Sequence, residues 1–159
     1  MQEREYLDVL IRSLRKKLVL LNRVSVLNQE QREILQDEDS DPDAFDMNVR
    51  DKGEVVEQIV ALDTGFNEVY THIKELMEHD HSLYEDQLEQ MRELIRLIMA
   101  KDATIRAEER RNYELAQRKF STVKSKVREM KVNRKAASSY YRAMMRQNPG
   151  DSLFLDNKK

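Results

Sequence analysis

The chain has 159 residues, enough for one domain and hardly two. It is 40% hydrophobic and 36% charged, with three Gly and two Pro, a balance that starves an all-β fold of turn residues and favours long helices. Without Cys it forms no disulfide, thiolate metal site or cysteine nucleophile, and no apolar run is longer than the four residues Leu18 to Leu21. Neither a membrane span nor a secretory signal is therefore expected, and a reducing cytoplasm fits.

The net charge of −2 conceals a polarity along the chain. Residues 36–93 carry 18 acidic and 4 basic side chains, whereas residues 101–147 carry 5 acidic and 14 basic ones. Oppositely charged helices packed side by side account for that pattern as well as a nucleic-acid arm does, and the near-neutral total favours the helices.

From the N-terminus, Leu7, Ile11, Leu14, Leu18 and Leu21 fall at steps of four and three, the spacing of a heptad seam. Val24, Leu27, Ile34 and Leu35 continue an apolar face, with Asn28 and Gln31 as polar interruptions, which predicts a first helix over about 3–36. The acidic run Asp37-Glu38-Asp39-Ser40-Asp41 follows, and Asp41 before Pro42 is an N-cap and first-turn pair for a second helix over about 42–79. Its seam reads Phe45, Val49, Lys52, Val56, Ile59, Leu62, Phe66, Val69, Ile73 and Leu76. Gly53 and Gly65 each cost that helix about 1 kcal/mol relative to Ala, and Gly53 blurs its start. Ser82 and Glu85 have capping-box spacing after His79-Asp80-His81, predicting a tight reversal.

A third helix is expected over about 83–146, free of Gly and Pro until Asn148-Pro149-Gly150, with residues 148–159 as a flexible tail. Leu88, Met91, Ile95, Ile98 and Ile105 form its first seam. After the charged stretch Glu108 to Arg111, a second reads Ala116, Phe120, Val123, Val127, Met130, Arg134, Ala137, Tyr141 and Met144. The expected fold is all-α: an elongated antiparallel three-helix bundle, one helical domain over 1–147, whose C-terminal helix overshoots its neighbours by about 25 residues at 1.5 Å rise each. An apolar stripe on the overshoot needs a cover. Three covers are open: a fold-back near Lys101-Asp102 giving a four-helix bundle, a second copy in a weak homodimer, or a helix from another protein, which Met130, Met144 and Met145 suit because thioethers repack.

No phosphate-cradling Gly-rich loop, GxSxG elbow or HExxH is present, so no enzyme and no cofactor is expected. His79 and His81, two apart, share no helix face and read as solvated cap residues and not as metal ligands. The basic run Arg118 to Lys135 flanks the second seam and carries no base-reading module, so no nucleic-acid partner is expected, and no integral membrane segment.

Several stretches in order resemble FlgN-like flagellar export chaperones of the Gram-positive kind. They are Leu27 to Gln31; Lys52-Gly53-Glu54-Val55-Val56-Glu57; Leu62-Asp63-x-x-Phe66-x-x-x-Tyr70; Ile105-x-Ala107-Glu108-x-x-x-Asn112; Ala137 to Tyr141 with Met144 and Met145; and the end Leu153-Phe154-Leu155-Asp156-Asn157-Lys158-Lys159. The resemblance implies a cytoplasmic helical chaperone for flagellar type III secretion. Such a protein binds the C-terminal helices of hook-filament junction proteins, prevents early assembly and delivers them to the export apparatus. It places client binding on the C-terminal helix, here Phe120, Val123, Val127, Met130, Ala137, Tyr141, Met144 and Met145. A homodimeric structural coiled coil and the related chaperone for the filament cap are the alternatives.

Overall fold

A computed structural model describes residues 3–79, 82–130 and 142–143. Three long helices make up nearly all of this: α1 (Glu3–Gln36), α2 (Pro42–His79) and α3 (Glu85–Met130), with a short 3₁₀ turn at Ser82–Tyr84 ahead of α3. No strand occurs among the described residues, and the chain is an all-α three-helix bundle.

The helix ends have local causes. Asp37 closes α1 by donating its N–H to the Glu33 and Ile34 carbonyls at 3.1 and 3.3 Å, and its own Oδ1 accepts the Asp39 N–H at 2.9 Å. Asp41 opens α2: its Oδ1 accepts the Asp43 N–H at 2.9 Å and its carbonyl the Ala44 N–H at 3.0 Å, satisfying donors that a first turn leaves orphaned. Between Ser82 and Tyr84 the chain takes a 3₁₀ turn, so α3 begins at Glu85 and not at 83. Helix α2 passes through Gly53 and Gly65 unbroken. Likewise α3 passes through Lys101-Asp102, which removes a reversal at that point, since nothing there interrupts the i to i−4 ladder.

The chain divides into two units, each built from all three helices. In the first, residues 1–23 and 57–104, Leu7, Leu10, Ile11, Leu14 and Leu21 of α1 are buried with Ile59 and Ile73 of α2 and Leu88, Met91 and Ile98 of α3. Tyr6 meets His72 ring to ring at 5.0 Å and Lys17 pairs with Asp63 at 2.7 Å, so α2 runs antiparallel to α1. Arg4 donates to the Leu83 carbonyl and Gln87 to Asp8, so α3 runs parallel to α1. Exposed His72 lies at the bundle edge, as its place between seam positions predicts. Ile95 departs from the expected seam: it is 40% exposed, while the adjacent Leu94 is half-buried, because an ideal helix drifts against a strict seven-residue repeat.

In the second unit, residues 24–56 and 105–159, Val24, Leu27 and Leu35 of α1 are buried with Phe45, Val49, Val55 and Val56 of α2 and Ile105 and Ala116 of α3. The same order holds: α2 antiparallel to α1 through Gln31 to Asn48 and Lys52 to Asn28, and α3 parallel to α1 through Ser25 to Glu108 and Asn112 to Gln31. Lys119 marks where α1 ends, donating to the Ile34 carbonyl at 3.1 Å, to Ser40 Oγ at 2.6 Å and to the Asp37 carbonyl. Helix α3 overshoots that level by about three turns, to Met130.

Ala143 alters the expected course of the chain beyond this point. It is helical, fully buried, and packs in one cluster with Leu35, Phe45, Val49 and Ala116. On a single straight helix, Ala143 would lie about 40 Å from Ala116. A straight run of α3 to Arg146 is therefore corrected: Ala143 returns to the core of the second unit. The remaining positions of 131–146 and the tail 148–159 lie outside the described residues.

Candidate functional site

The two units differ in what their cores contain. Among the described residues, the first unit buries one polar side chain, Gln87, whereas the second buries six: Asn28, Gln31, Asn48, Lys52, Glu109 and Asn112. Burying an amide or charge costs several kcal/mol unless it is paired, so a polar layer inside a helical core persists only with its partners in place.

Most of those partners are present. Lys52 Nζ lies 2.8 Å from Glu109 Oε2, with side chains only 5% and 7% exposed, and donates also to Asn28 Oδ1 at 3.2 Å. Asn28 Nδ2 donates to Glu108 Oε1 at 3.4 Å, and Ser25 Oγ lies 2.8 Å from both Glu108 oxygens. One turn on, Asn112 Nδ2 donates to the Asn28 carbonyl at 2.8 Å and to Gln31 Oε1 at 3.0 Å. Gln31 Nε2 passes the chain to Asn48 Oδ1 at 3.0 Å, and Asn48 Nδ2 ends it on the Leu27 carbonyl at 2.9 Å. The network therefore ties all three helices together. Glu109 Oε1 and Arg111 Nη2 are the buried atoms here with no partner among the described residues.

Helical spacing explains the convergence. Asn28 and Gln31 are three apart on α1, Asn48 and Lys52 four apart on α2, Glu109 and Asn112 three apart on α3, so each pair shares one face. Lys52, a seam position in sequence, is in the core. Asn48, Glu109 and Asn112 were not singled out as site residues; the available signal was a polar pair at core spacing on every helix.

Beyond this layer lies the apolar end of the second unit. Of the expected client-binding residues, Phe120 and Val123 are half-buried and pack, with Ile34 and Leu115, against the cluster of Leu35, Phe45, Val49, Ala116 and Ala143. Val127 and Met130 continue that seam along α3 by position, their side chains not being described. Ala137, Tyr141, Met144 and Met145 lie outside the described residues. The exposed residues Asp37, Glu38, Asp39, Asp41 and Asp43 form an acidic rim between the end of α1 and the first turn of α2.

Among the described residues, no group of three or more His, Asp or Glu side chains is placed to hold a metal ion, and no helix is long and apolar enough to cross a membrane. At the surface, the Arg96 hydrogen bond holds the Glu93 carboxyl below its ordinary range, and Glu93 raises Arg96 in turn. Against known protein families, curated proteins and solved structures, the chain finds no match.

Proposed function

We propose that this chain is a cytoplasmic export chaperone of the flagellar type III kind, which takes the C-terminal helices of hook-filament junction proteins and delivers them to the export apparatus. The observation that carries the reading is the end of the second unit, where α3 outlasts α1 and the seam through Phe120 and Val123 is only half-buried. An amphipathic helix laid against that seam completes the apolar layer that α1 leaves off. The ordered resemblance to FlgN-like chaperones supports the same reading. So does the buried layer, because Leu27–Gln31, Lys52–Glu57 and Ile105–Asn112 are three of the resembling stretches and each contributes to it.

In this reading the polar layer is a positioning device. It sets the register of α1, α2 and α3 beside the client seam, since sliding any helix one residue would strand buried amides. The test is calorimetric titration of the full chain with the C-terminal helix of a hook-filament junction protein. Saturable one-to-one binding, with the negative heat-capacity change of apolar burial, is the expected result. No heat and no complex at 100 µM would reject the function. Concentration-dependent doubling of mass without client binding would instead favour the homodimeric coiled coil.

A further inference from the structure

Helix α3 carries a second heptad stripe that neither core uses. The helix runs unbroken from Glu85 to Met130, so positions at alternating steps of three and four share one face. The stripe begins acidic, at Asp86 and Glu93, with Gln90 between them. Its middle is apolar or small: Leu97, Ala100, Thr104 and Ala107. It ends basic, at Arg111 and Arg118. Arg111 is half-buried and all the others are exposed, Leu97 being 38% exposed. Thr104 spends its hydroxyl on the Ala100 carbonyl at 3.2 Å, which leaves it to act as a small apolar residue. Among the described residues, Asp86, Arg111 and Arg118 have no ion-pair partner, and Arg111 Nη2 has no hydrogen-bond partner. At the acidic end Arg15 of α1 donates to Gln90 at 3.3 Å, and a cleft of about 640 Å³ is lined by Arg15, Asp86, Glu89, Gln90, Glu93 and Leu94.

We infer that this stripe is the contact face for a second copy of the chain, whose α3 lies antiparallel to the first about a two-fold axis beside Asp102. The charge order makes the stripe complementary to itself when reversed. Counted from Asp102, Asp86 and Arg118 are each 16 residues away, Glu93 and Arg111 nine, Leu97 and Ala107 five, and Ala100 and Thr104 two. Two-fold symmetry therefore sets each Asp86 against Arg118 of the other copy and each Glu93 against its Arg111, with small side chains at the centre where two helices need a close approach. A parallel pair would set all four charged residues against their own copies, and like charges face to face oppose association. Sliding the antiparallel pair by one heptad either way keeps only one of the two kinds of ion pair, so the charges also fix the register. The cleft at the acidic end is where the basic end of the other helix enters. Phe120 and Val123 pack on a different face, against the cluster around Phe45, so the contact leaves the client seam open and does not rest on the chaperone reading.

Sedimentation equilibrium on the full chain reads the contact. At low salt the mass is expected to rise toward that of two chains between about 5 and 500 µM, and about 1 M salt should weaken the dimer at least threefold by screening its exposed pairs. Asp86→Arg and Arg118→Glu each turn both outer pairs into like charges, and either alone is expected to weaken the dimer about tenfold or more with helix content unchanged. A chain carrying both changes has the wild-type net charge and the outer pairs restored with their signs exchanged, so its dimer should return to within about threefold of wild type. A wild-type chain that stays monomeric overturns the inference. So does a dimer that neither single change weakens, which would use another face, or a double variant that does not recover. Should a single variant lose helix content, Ala100→Arg decides, since it sets a bulky side chain at the crossing on an exposed site. A folded monomer upholds the contact; an unweakened dimer, or loss of the fold, overturns it.

Discussion

Replacing Lys52 by Met tests the buried layer most sharply. The side chains are similar in length, so the packing volume is kept while the ammonium is lost. Glu109, 7% exposed, then loses the ammonium 2.8 Å from Oε2, and Asn28 Oδ1 loses the donor 3.2 Å away. Breaking one side of a buried, hydrogen-bonded ion pair costs about 3–5 kcal/mol. In a chain of this size each kcal/mol moves the melting midpoint by about 2–4 °C, so a fall of roughly 10 °C is expected. The double change Lys52→Met with Glu109→Leu removes both desolvated charges and should recover stability to within about 1 kcal/mol of wild type. Urea unfolding followed by circular dichroism on the wild type, both single variants and the double completes the cycle. If Lys52→Met alone shifts stability by less than about 0.5 kcal/mol, the pair is not desolvated as described; if the double variant loses the sum of the two singles, the charges are not acting on each other.

Four further outcomes are expected. Gly53→Ala and Gly65→Ala should each stabilise the chain by about 1 kcal/mol, read as a higher melting midpoint, because both sit inside α2 and a Cβ at either meets nothing within 4 Å. Lys119→Met should cost about 1–3 kcal/mol in urea unfolding, since it leaves the carbonyls at the end of α1 without their ammonium. By NMR titration, the Glu93 carboxyl should protonate below the ordinary value of about 4.3, and Arg96→Gln should return it there; having a lowered folded pKa, the pair contributes stability above the unfolded value that is lost as pH falls through the folded one. Val127→Asp, on the seam of α3 beyond the end of α1, should weaken calorimetric binding of a junction-protein helix by several kcal/mol while leaving the melting midpoint of the free chain nearly unchanged; loss of that midpoint instead would mean the position is internally buried.

What the sequence determined by itself is what short-range rules control. The four-three spacing of Leu7, Ile11, Leu14, Leu18 and Leu21 identified α1 and its inward face, on which all but the half-buried Leu18 are buried, and Asp41 before Pro42 marked where α2 starts, since both depend on residues within one or two turns. The pairings needed the tertiary structure. Lys52 and Glu109 are 57 residues apart, Asn112 and Gln31 are 81 apart, and no local pattern says which face of α3 comes opposite which face of α1. Read alone, Asn28 and Gln31 were defects in a seam; with α2 and α3 in place they are the hydrogen-bonded centre of the second unit. Ile95 and Ala143 show the same limit. Periodicity places a residue on a stripe, but exposure depends on how the helix drifts against its neighbours, and Ala143 is buried because the chain returns to Phe45 and Ala116, a long-range contact that an uninterrupted heptad does not register.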